Sequence, residues 1–335
     1  MTTRLIFATQ KLDAADPILG ATVGMVRALA ARVDELVVLC DSAAPEAVAE
    51  NVRVHEFRAA TQAQRGAKFA VALVHELRPR PLGVVAHMVP LYALVAAPFV
   101  RPRRIPLVLW YTQWKAHAVL RAAEKVCTGI VSVDRESFPL ASGKVRGIGH
   151  GIDLGEFRCS DGPGDDGPLQ ALVLGRYSPV KGLEAVLRAV ALAGGVRLEA
   201  HGSSGGGEYD GHKRELERLA EELGVEVELG GPVARSEVPA LFARSHVLIN
   251  NTLPGSRDKV VYEAAAACLP VLASSPAFRD LLSGELIFDR DDPATLAARL
   301  QSLERRRRPE LRQFVSSHHS TEHWADGVLA TVLEK

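Results

Sequence analysis

Short runs of β-branched and other apolar residues alternate with longer segments of helical periodicity along the chain. In the first half, the helical pattern covers residues 20–31 and 63–77. Strands are predicted at 5–8, 36–40, 53–57, 84–87, 107–110 and 130–133. This alternation is typical of parallel sheets that carry helices on both faces. The predicted fold class is therefore α/β, with a doubly wound sheet in the first half.

The same alternation restarts after an aperiodic segment. Residues 158–168 contain three glycines and two prolines, a composition typical of an exposed linker. Further strands are predicted at 169–174, 196–200, 225–229, 247–250, 271–273 and 286–288. We therefore expect Rossmann-like domains over 1–155 and 169–310, joined by a linker over 156–168. A C-terminal helix is predicted over 311–335, and packing of this helix back on the first domain is one option.

Charge and cysteine content narrow the class of protein. Forty basic residues balance forty acidic ones, so no overall field attracts nucleic acid, and any anion site must be local. The four cysteines lie far apart and form no CxxC pair, which argues against a structural metal and predicts free thiols. Acidic groups at 164–166 and 289–292 are interpreted as linker and helix cap. We expect neither a metal nor a cofactor.

Hydropathy predicts a protein that does not span a membrane. The beginning of the sequence lacks the basic start and long apolar core of a signal peptide. The longest apolar stretch, residues 84–100, contains His87 and two prolines and is shorter than the roughly 20 residues that a spanning helix needs. We expect a cytoplasmic location, with contact at the inner face of the membrane as one option.

One strand-turn-helix segment has the composition of a phosphate site. The strand over 169–174 is followed by Gly175, Arg176, Lys181 and Gly182. Glycine permits close approach of an anion, the helix start offers unpaired amides, and each charge-assisted bond contributes roughly 1.5–3 kcal/mol. The segment predicts a diphosphate cradle. An ordinary turn with two surface cations remains the alternative.

A single acid lies on the helix that follows residue 258. Glu263 is followed by four small residues at 264–267, which permit close packing against a sheet. A carboxylate in this position can accept hydrogen bonds from both hydroxyls of a ribose. A capping or surface glutamate is the alternative interpretation.

The segments 144–157, 174–182, 231–238, 262–271 and 286–296 together resemble the retaining nucleotide-sugar glycosyltransferases of the GT-B architecture. These are the family four type, also called glycosyl transferases group one. The likeness covers the C-terminal half and the junction, whereas the N-terminal half matches loosely. It implies two Rossmann-like domains facing across a cleft and sugar transfer with retention of configuration. The implied donor is a UDP- or GDP-sugar, and the acceptor is a small molecule, a glycan or a lipid-linked molecule.

The resemblance assigns roles in the C-terminal half. Arg176 and Lys181 correspond to the catalytic cations that bind the donor diphosphate, and Glu263 corresponds to the ribose ligand. Val233 lies in the turn that corresponds to the nucleobase contact. The family's earlier motif glutamate maps onto Gly255, a departure that puts sugar recognition in doubt. Loop residues take that role in our interpretation: Gly255, Ser256, Asp258 and Lys259.

Assignments in the N-terminal half leave alternatives open. The family has a histidine after the strand that ends at residue 110, and this histidine contacts a hydroxyl of the donor sugar. Gln113 is nearest to that position, with His117 one helical turn further as the alternative. Gly20 either presents amides to the acceptor and phosphates or forms a helix-entry turn. His87 ends a strand, so it either contacts the acceptor or is a buried, hydrogen-bonded histidine.

Two further functions and one partner remain open. The glycine at 255 is compatible with a catalytically silent protein that binds nucleotide sugars, and a hydrolase or epimerase could share the same recognition. Residues 98–104 are rich in arginine and lie near Trp110, Tyr111 and Trp114 in sequence. They predict either contact with anionic lipid headgroups or an ordinary solvated loop.

Overall fold

The computed structural model describes residues 2–16, 19–44, 48–113 and 115–334. It divides into two compact units. The first comprises Met1–Asp153 with Ser317–Lys335, and the second comprises Leu154–Ser316. The chain thus leaves the first unit, builds the second, and returns to complete the first.

The first unit contains a seven-stranded parallel sheet in the order β3-β2-β1-β4-β5-β6-β7. Its strands are β1 Arg4–Leu12, β2 Glu35–Ala43, β3 Val52–Glu56, β4 Gly83–His87, β5 Leu107–Trp110, β6 Gly129–Ser132 and β7 Val145–Gly147. Its first four helices are α1 Thr22–Ala30, α2 Gln62–Glu76, α3 Pro90–Val100 and α4 Ala118–Val126. The six strands predicted from the sequence are confirmed. The sequence missed β7, which is too short to show a periodicity.

The second unit contains a five-stranded parallel sheet in the order β10-β9-β8-β11-β12. Its strands are β8 Leu169–Leu174, β9 Val196–His201, β10 Val227–Gly230, β11 Val247–Asn250 and β12 Val271–Ala273. Its helices are α5 Leu183–Ala193, α6 Asp210–Leu223, α7 Val238–Ala243, α8 Lys259–Ala266, α9 Pro293–Gln301 and α10 Pro309–His318, the last of which ends in the first unit. The strand predicted over 286–288 is wrong. Only an isolated bridge from Ala273 to Ile287 forms there, because Gly284–Leu286 is a turn of 3-10 helix.

The single C-terminal helix predicted over 311–335 is two helices, α10 and α11 Thr321–Leu333. Ser320 separates them because its extended backbone ends the helical run and its hydroxyl accepts from the backbone N–H of His323 at 3.1 Å. The apolar face of α11 packs on the first sheet, where Trp324 is fully buried between Phe7 and Trp110. The other face of that sheet is covered by α2 and α3.

The expectation of four free thiols is wrong for one pair. Cys159 and Cys268 form a disulfide that ties the segment before β8 to the end of α8. Their separation of 109 residues hides this contact from the sequence. Cys40 and Cys127 are free and buried. Over the described residues, no helix combines the length and the apolar character needed to cross a bilayer.

Both sheets reverse their strand order beside their first strand. In the first unit the reversal lies between β1 and β4, and in the second it lies between β8 and β11. Ligands of open α/β sheets bind at the carboxyl ends of the strands at such a switch point. Each unit therefore has one edge where a binding site is expected.

Candidate functional site

In the second unit, the loops after β8 and β11 meet at the switch point. Asn251 Nδ2 donates to the carbonyl of Gly182 at 2.9 Å. Gly182 has φ 52°, and a Cβ at this position would lie 2.6 Å from Asn251 Nδ2. Because only glycine fits both the conformation and the contact, the turn after β8 is held directly against the β11 loop.

The two cations predicted after β8 occupy different environments. Arg176 is exposed on the loop. The ammonium group of Lys181 pairs with Asp258, which also accepts from Asn250 Nδ2 at 2.9 Å and from Ser256 Oγ at 3.0 Å. Burial raises the pKa of the Asp258 carboxyl, but the charge of Lys181 and these hydrogen bonds outweigh that effect and lower the pKa below its ordinary value. Asp258 therefore stays ionised and positions Lys181.

The loop that replaces the family's first glutamate is a tight turn. Gly255 is exposed with φ 85°, and the N–H of Ser256 donates to the carbonyl of Leu253 at 3.1 Å. The Ser256 side chain is buried and used by Asp258. Lys259 begins α8, and burial lowers the pKa of its ammonium to about 8 even though Glu263 opposes the shift.

Glu263 lies on α8 with 7% of its surface exposed. Its Oε1 accepts from Arg235 Nη1 at 2.9 Å, and Arg235 Nη2 donates to Glu156 Oε2 at 2.8 Å. The guanidinium of Arg235 also lies 5.3 Å from the centre of the Phe157 ring. Arg235 therefore fixes the orientation of the carboxylate that the sequence assigns to ribose.

Sequence reasoning did not single out Arg235. It lies two residues after Val233, which is half-buried, so the Arg235–Glu263 bond ties the predicted nucleobase turn to α8. The one sequence feature that could have indicated a role for Arg235 is that it is the only basic residue in the 231–238 motif. Nothing in the spacing revealed that its partners are Glu156 and Glu263.

The first unit has a cleft of about 410 Å³ at the carboxyl ends of β1, β2, β4 and β5. Both His87 and Gln113 line it, as do Lys11, Asp16 and Asp41. His87 is 4% exposed, and its Nδ1 lies 3.1 Å from Thr9 Oγ1. It is thus a buried, hydrogen-bonded histidine that also borders the cleft, so the two sequence interpretations are compatible.

The structure separates the other N-terminal candidates. His117 caps α4, where its Nδ1 accepts from the N–H of Leu120 at 3.2 Å, and it is absent from the described lining of the cleft. The N–H of Gly20 donates to the carbonyl of Asp16 at 2.9 Å, which makes Gly20 part of the helix-entry turn. Ile18 of the predicted loop and Trp114 lie outside the described residues.

Two clusters of potential metal ligands occur among the described residues. His55, His75 and Glu76 form one, and Glu199, His201 and Glu228 form the other. Glu76 is already bound by the guanidinium groups of Arg4 and Arg53, and Glu199 by that of Arg244. These positive charges disfavour a metal cation in either cluster.

Residues 168–305 contain Arg176, Lys181, Arg235 and Glu263, and they match the family described as "Glycosyl transferases group 1". The second unit carries a group 1 glycosyl transferase domain. This group 1 domain therefore includes both the turn after β8 and the buried acid on α8.

Curated relatives of the group 1 domain are inositol-phosphate enzymes. The chain is 31% identical over 189 residues to the D-inositol 3-phosphate glycosyltransferase of Mycolicibacterium paratuberculosis, covering 48% of this chain and 41% of that protein. The enzyme of the same name from Mycobacterium leprae is 33% identical over 187 residues, which cover 48% of this chain and 42% of that protein. The chain thus spans about two fifths of the length of these relatives.

Solved structures resemble the chain over nearly its whole length. The sucrose-phosphate synthase of Thermosynechococcus elongatus has a TM-score of 0.75 at 16% identity, with 97% of each chain covered. Anabaena HepE in complex with UDP and glucose has a TM-score of 0.73 at 16% identity, with 98% of this chain and 99% of HepE covered. At these identities the likeness shows the fold. The predicted GT-B fold, with two Rossmann-like parallel-sheet domains, is confirmed.

Proposed function

We propose that this protein transfers a sugar from a nucleotide diphosphate donor, a UDP- or GDP-sugar, to a hydroxyl acceptor with retention of configuration. One observation carries the proposal: Arg176, Lys181 and Glu263 lie on the second unit within a group 1 domain, with both cations beside its switch point. The names of the curated relatives and the UDP bound to HepE support it.

The donor diphosphate binds the turn after β8. Arg176 is exposed and available to a phosphate, and Asp258 holds Lys181 in place until a phosphate shares its charge. Glu263 receives the ribose hydroxyls while Arg235 keeps its carboxylate oriented, and the turn with Val233 receives the base. The amides near Gly255, with Ser256, Asp258 and Lys259, are assigned to the sugar.

Catalysis rests on stabilising the departing diphosphate. Arg176 and Lys181 offset the charge that develops as the glycosidic bond breaks, so the reaction needs no metal. This mechanism assigns no carboxylate as a nucleophile. In the first-unit cleft, Asp16 pairs with Lys11 at 3.0 Å and Asp41 with Arg65 at 3.0 Å. The leaving phosphate oxygen takes the proton from the acceptor hydroxyl on the same face, which retains the configuration.

Thermal unfolding tests the donor site without knowledge of the acceptor. Wild type and the double variant Arg176→Ala/Lys181→Ala are compared with UDP, GDP, ADP and TDP. A nucleotide at 100 times its dissociation constant adds about 2.7 kcal/mol of stability. One nucleotide should stabilise the wild type and the control Arg188→Ala/Arg197→Ala, but not the double variant. The absence of stabilisation of the wild type by all four would contradict the donor assignment.

A contact with anionic lipid is the second part of the proposal. Exposed arginines cluster before β4 and β5, where Arg80 Nη2 donates to the carbonyl of Arg104 at 2.9 Å; the group is Arg78, Arg80, Arg101, Arg103 and Arg104. Each basic residue near an anionic surface contributes about 1 kcal/mol. Co-sedimentation with phosphatidylserine vesicles should be lost in Arg101→Ser/Arg103→Ser/Arg104→Ser. Equal recovery with neutral and anionic vesicles would eliminate this contact.

A further inference from the structure

The cleft of the first unit has the size and lining of a site for a small polar molecule. Its volume of about 410 Å³ falls in the range of small-molecule sites. Most of the residues that line it have polar side chains, among them Gln10, Lys11, Asp16, Asp41, Ser42 and Gln113, and the apolar residues Leu19, Met88 and Val89 complete the lining. The residue after His87, Met88, has φ 60°, so a non-glycine backbone is held in the left-handed region at the wall of this cleft. A hydroxyl-rich ligand matches these groups better than an acyl chain.

The charges of the cleft are already balanced or negative. Lys11 is the one cation among the described lining residues, and it pairs with Asp13 at 2.9 Å and with Asp16 at 3.0 Å. The adjacent Arg65 is bound by Asp41 Oδ2 at 3.0 Å. Arg65 therefore balances Asp41, whereas the single charge of Lys11 is shared by Asp13 and Asp16. These three acids and two cations leave one negative charge in excess, on the side of Asp16. A phosphate would meet net negative charge here.

The loop that leads into α1 is closed by acceptors of the same chain. Helix N-termini attract phosphates because their amides are unpaired. Here Asp16 Oδ1 accepts from the N–H of Leu19 at 2.8 Å, and the Asp16 carbonyl accepts from the N–H of Gly20 at 2.9 Å. The N–H groups of Thr22 and Val23, in the first turn of α1, donate to the carbonyls of Leu19 and Gly20 at 2.9 and 3.2 Å. These amides already have partners, and the Asp16 carboxylate adds negative charge beside them.

We propose that this cleft binds the acceptor as an uncharged carbohydrate or polyol, and that Asp16 selects against phosphorylated acceptors. The inference rests on the proposed transferase function and adds the chemical class of the acceptor. Carboxylates accept strong hydrogen bonds from sugar hydroxyls, whereas a phosphate dianion is repelled by the same groups. The specificity would then differ from that named for the curated relatives, which are D-inositol 3-phosphate enzymes.

Binding of matched probes tests the inference without turnover. Titration calorimetry of the full chain, saturated with the nucleotide that stabilises it, uses myo-inositol, glucose, their monophosphates and inorganic phosphate. The neutral probes should bind wild type at least tenfold more tightly than their monophosphates. In Asp16→Asn, loss of a charge-assisted hydrogen bond should weaken the neutral probes by roughly tenfold. Because the variant also loses a negative charge, it should bind the monophosphates as tightly as the neutral probes, or more tightly.

Asp13→Asn is the matched control. Asp13 pairs with Lys11 as Asp16 does, and both side chains are 18% exposed, but Asp13 is not among the residues lining the cleft. Because Asp13 does not line the cleft, the control should bind the neutral probes as wild type does, and it should change the affinity for the monophosphates less than Asp16→Asn does. Tighter binding of a monophosphate to wild type, no binding of either neutral probe, or an equal response of the two variants would each overturn the inference. If no nucleotide binds the chain at all, the proposed function fails instead, and that result is read before any acceptor is added.

Discussion

The two units share a topology but treat the charges at their switch points in opposite ways. In the second unit, Arg176 is exposed and Lys181 is held by a single acid. In the first unit, Lys11 is shared by two acids and Arg65 is bound by Asp41. The same sheet edge therefore favours an anion in one unit and hydroxyl groups in the other. Fold alone did not determine this difference, because it depends on side chains in the loops.

Removal of Arg176 should have the largest effect on this contrast. The Arg176→Ala variant loses charge stabilisation of the departing diphosphate, so kcat/KM should fall by about 10²–10³-fold. Steady-state turnover with the nucleotide sugar identified by thermal unfolding measures the loss. Arg197→Ala, which changes an exposed arginine elsewhere in the second unit, should retain wild-type turnover. Equal losses in the two variants would show that position 176 has no special role.

Arg235→Ala should have the next largest effect, on stability. It removes the shared partner of Glu156 and Glu263, and leaving a buried charge uncompensated costs about 3 kcal/mol. Urea denaturation should show this loss in the second unit, with Arg235→Lys intermediate. Arg197→Ala breaks an exposed pair with Glu226 and should cost less than about 1 kcal/mol. A loss no larger than that of the control would mean that Arg235 does not hold Glu263.

The pKa of Lys259 gives a prediction about pH. Burial lowers the pKa of Lys259 to about 8. A donor diphosphate, bound next to the sugar that Lys259 is assigned to, would raise this pKa because its negative charge favours the charged ammonium. Nucleotide affinity should therefore be constant below that pH and fall above it, by up to about tenfold for each pH unit. In Lys259→Arg the decline should disappear. A wild-type affinity that does not change between pH 7 and 9.5 would remove Lys259 from the donor site.

The smallest expected effect is a difference in acid stability between the Lys181–Asp258 pair and the Lys11–Asp13 pair. The pKa values of Asp258 and Asp13 are both lowered, so each pairing contributes stability that is present above the ordinary aspartate pKa of 3.8 and is lost as the pH falls through the folded-state value. Asp258 binds Lys181, Asn250 and Ser256, whereas Asp13 binds Lys11 and the N–H of Ala15. Asp258→Asn should therefore flatten the acid dependence of unfolding more than Asp13→Asn does. A larger effect of Asp13→Asn than of Asp258→Asn on the acid dependence would contradict this comparison of the two sites.

The pattern of apolar residues along the sequence predicted the sheets, because a strand that is buried on both faces appears as a continuous apolar run. It failed at β7 and at 286–288, where three residues carry no usable period. The positions of Arg176 and Lys181 were predictable because both follow one strand. The sequence did not reveal the Arg235 network, the Cys159–Cys268 bond or the carboxylates of the first-unit cleft, because each depends on contacts between segments far apart along the chain.

The return of the chain to its first unit has a consequence for biosynthesis. Trp324, Val328 and Val332 on α11 complete the core of a sheet whose strands were all made before residue 154. During translation, that face of the sheet stays uncovered until the second unit, which is one continuous segment of the chain, has been synthesised. Nascent chains that end before α11 would expose an apolar surface and be prone to aggregation. The order in which the ribosome makes the two units is therefore the reverse of the order in which they can be completed.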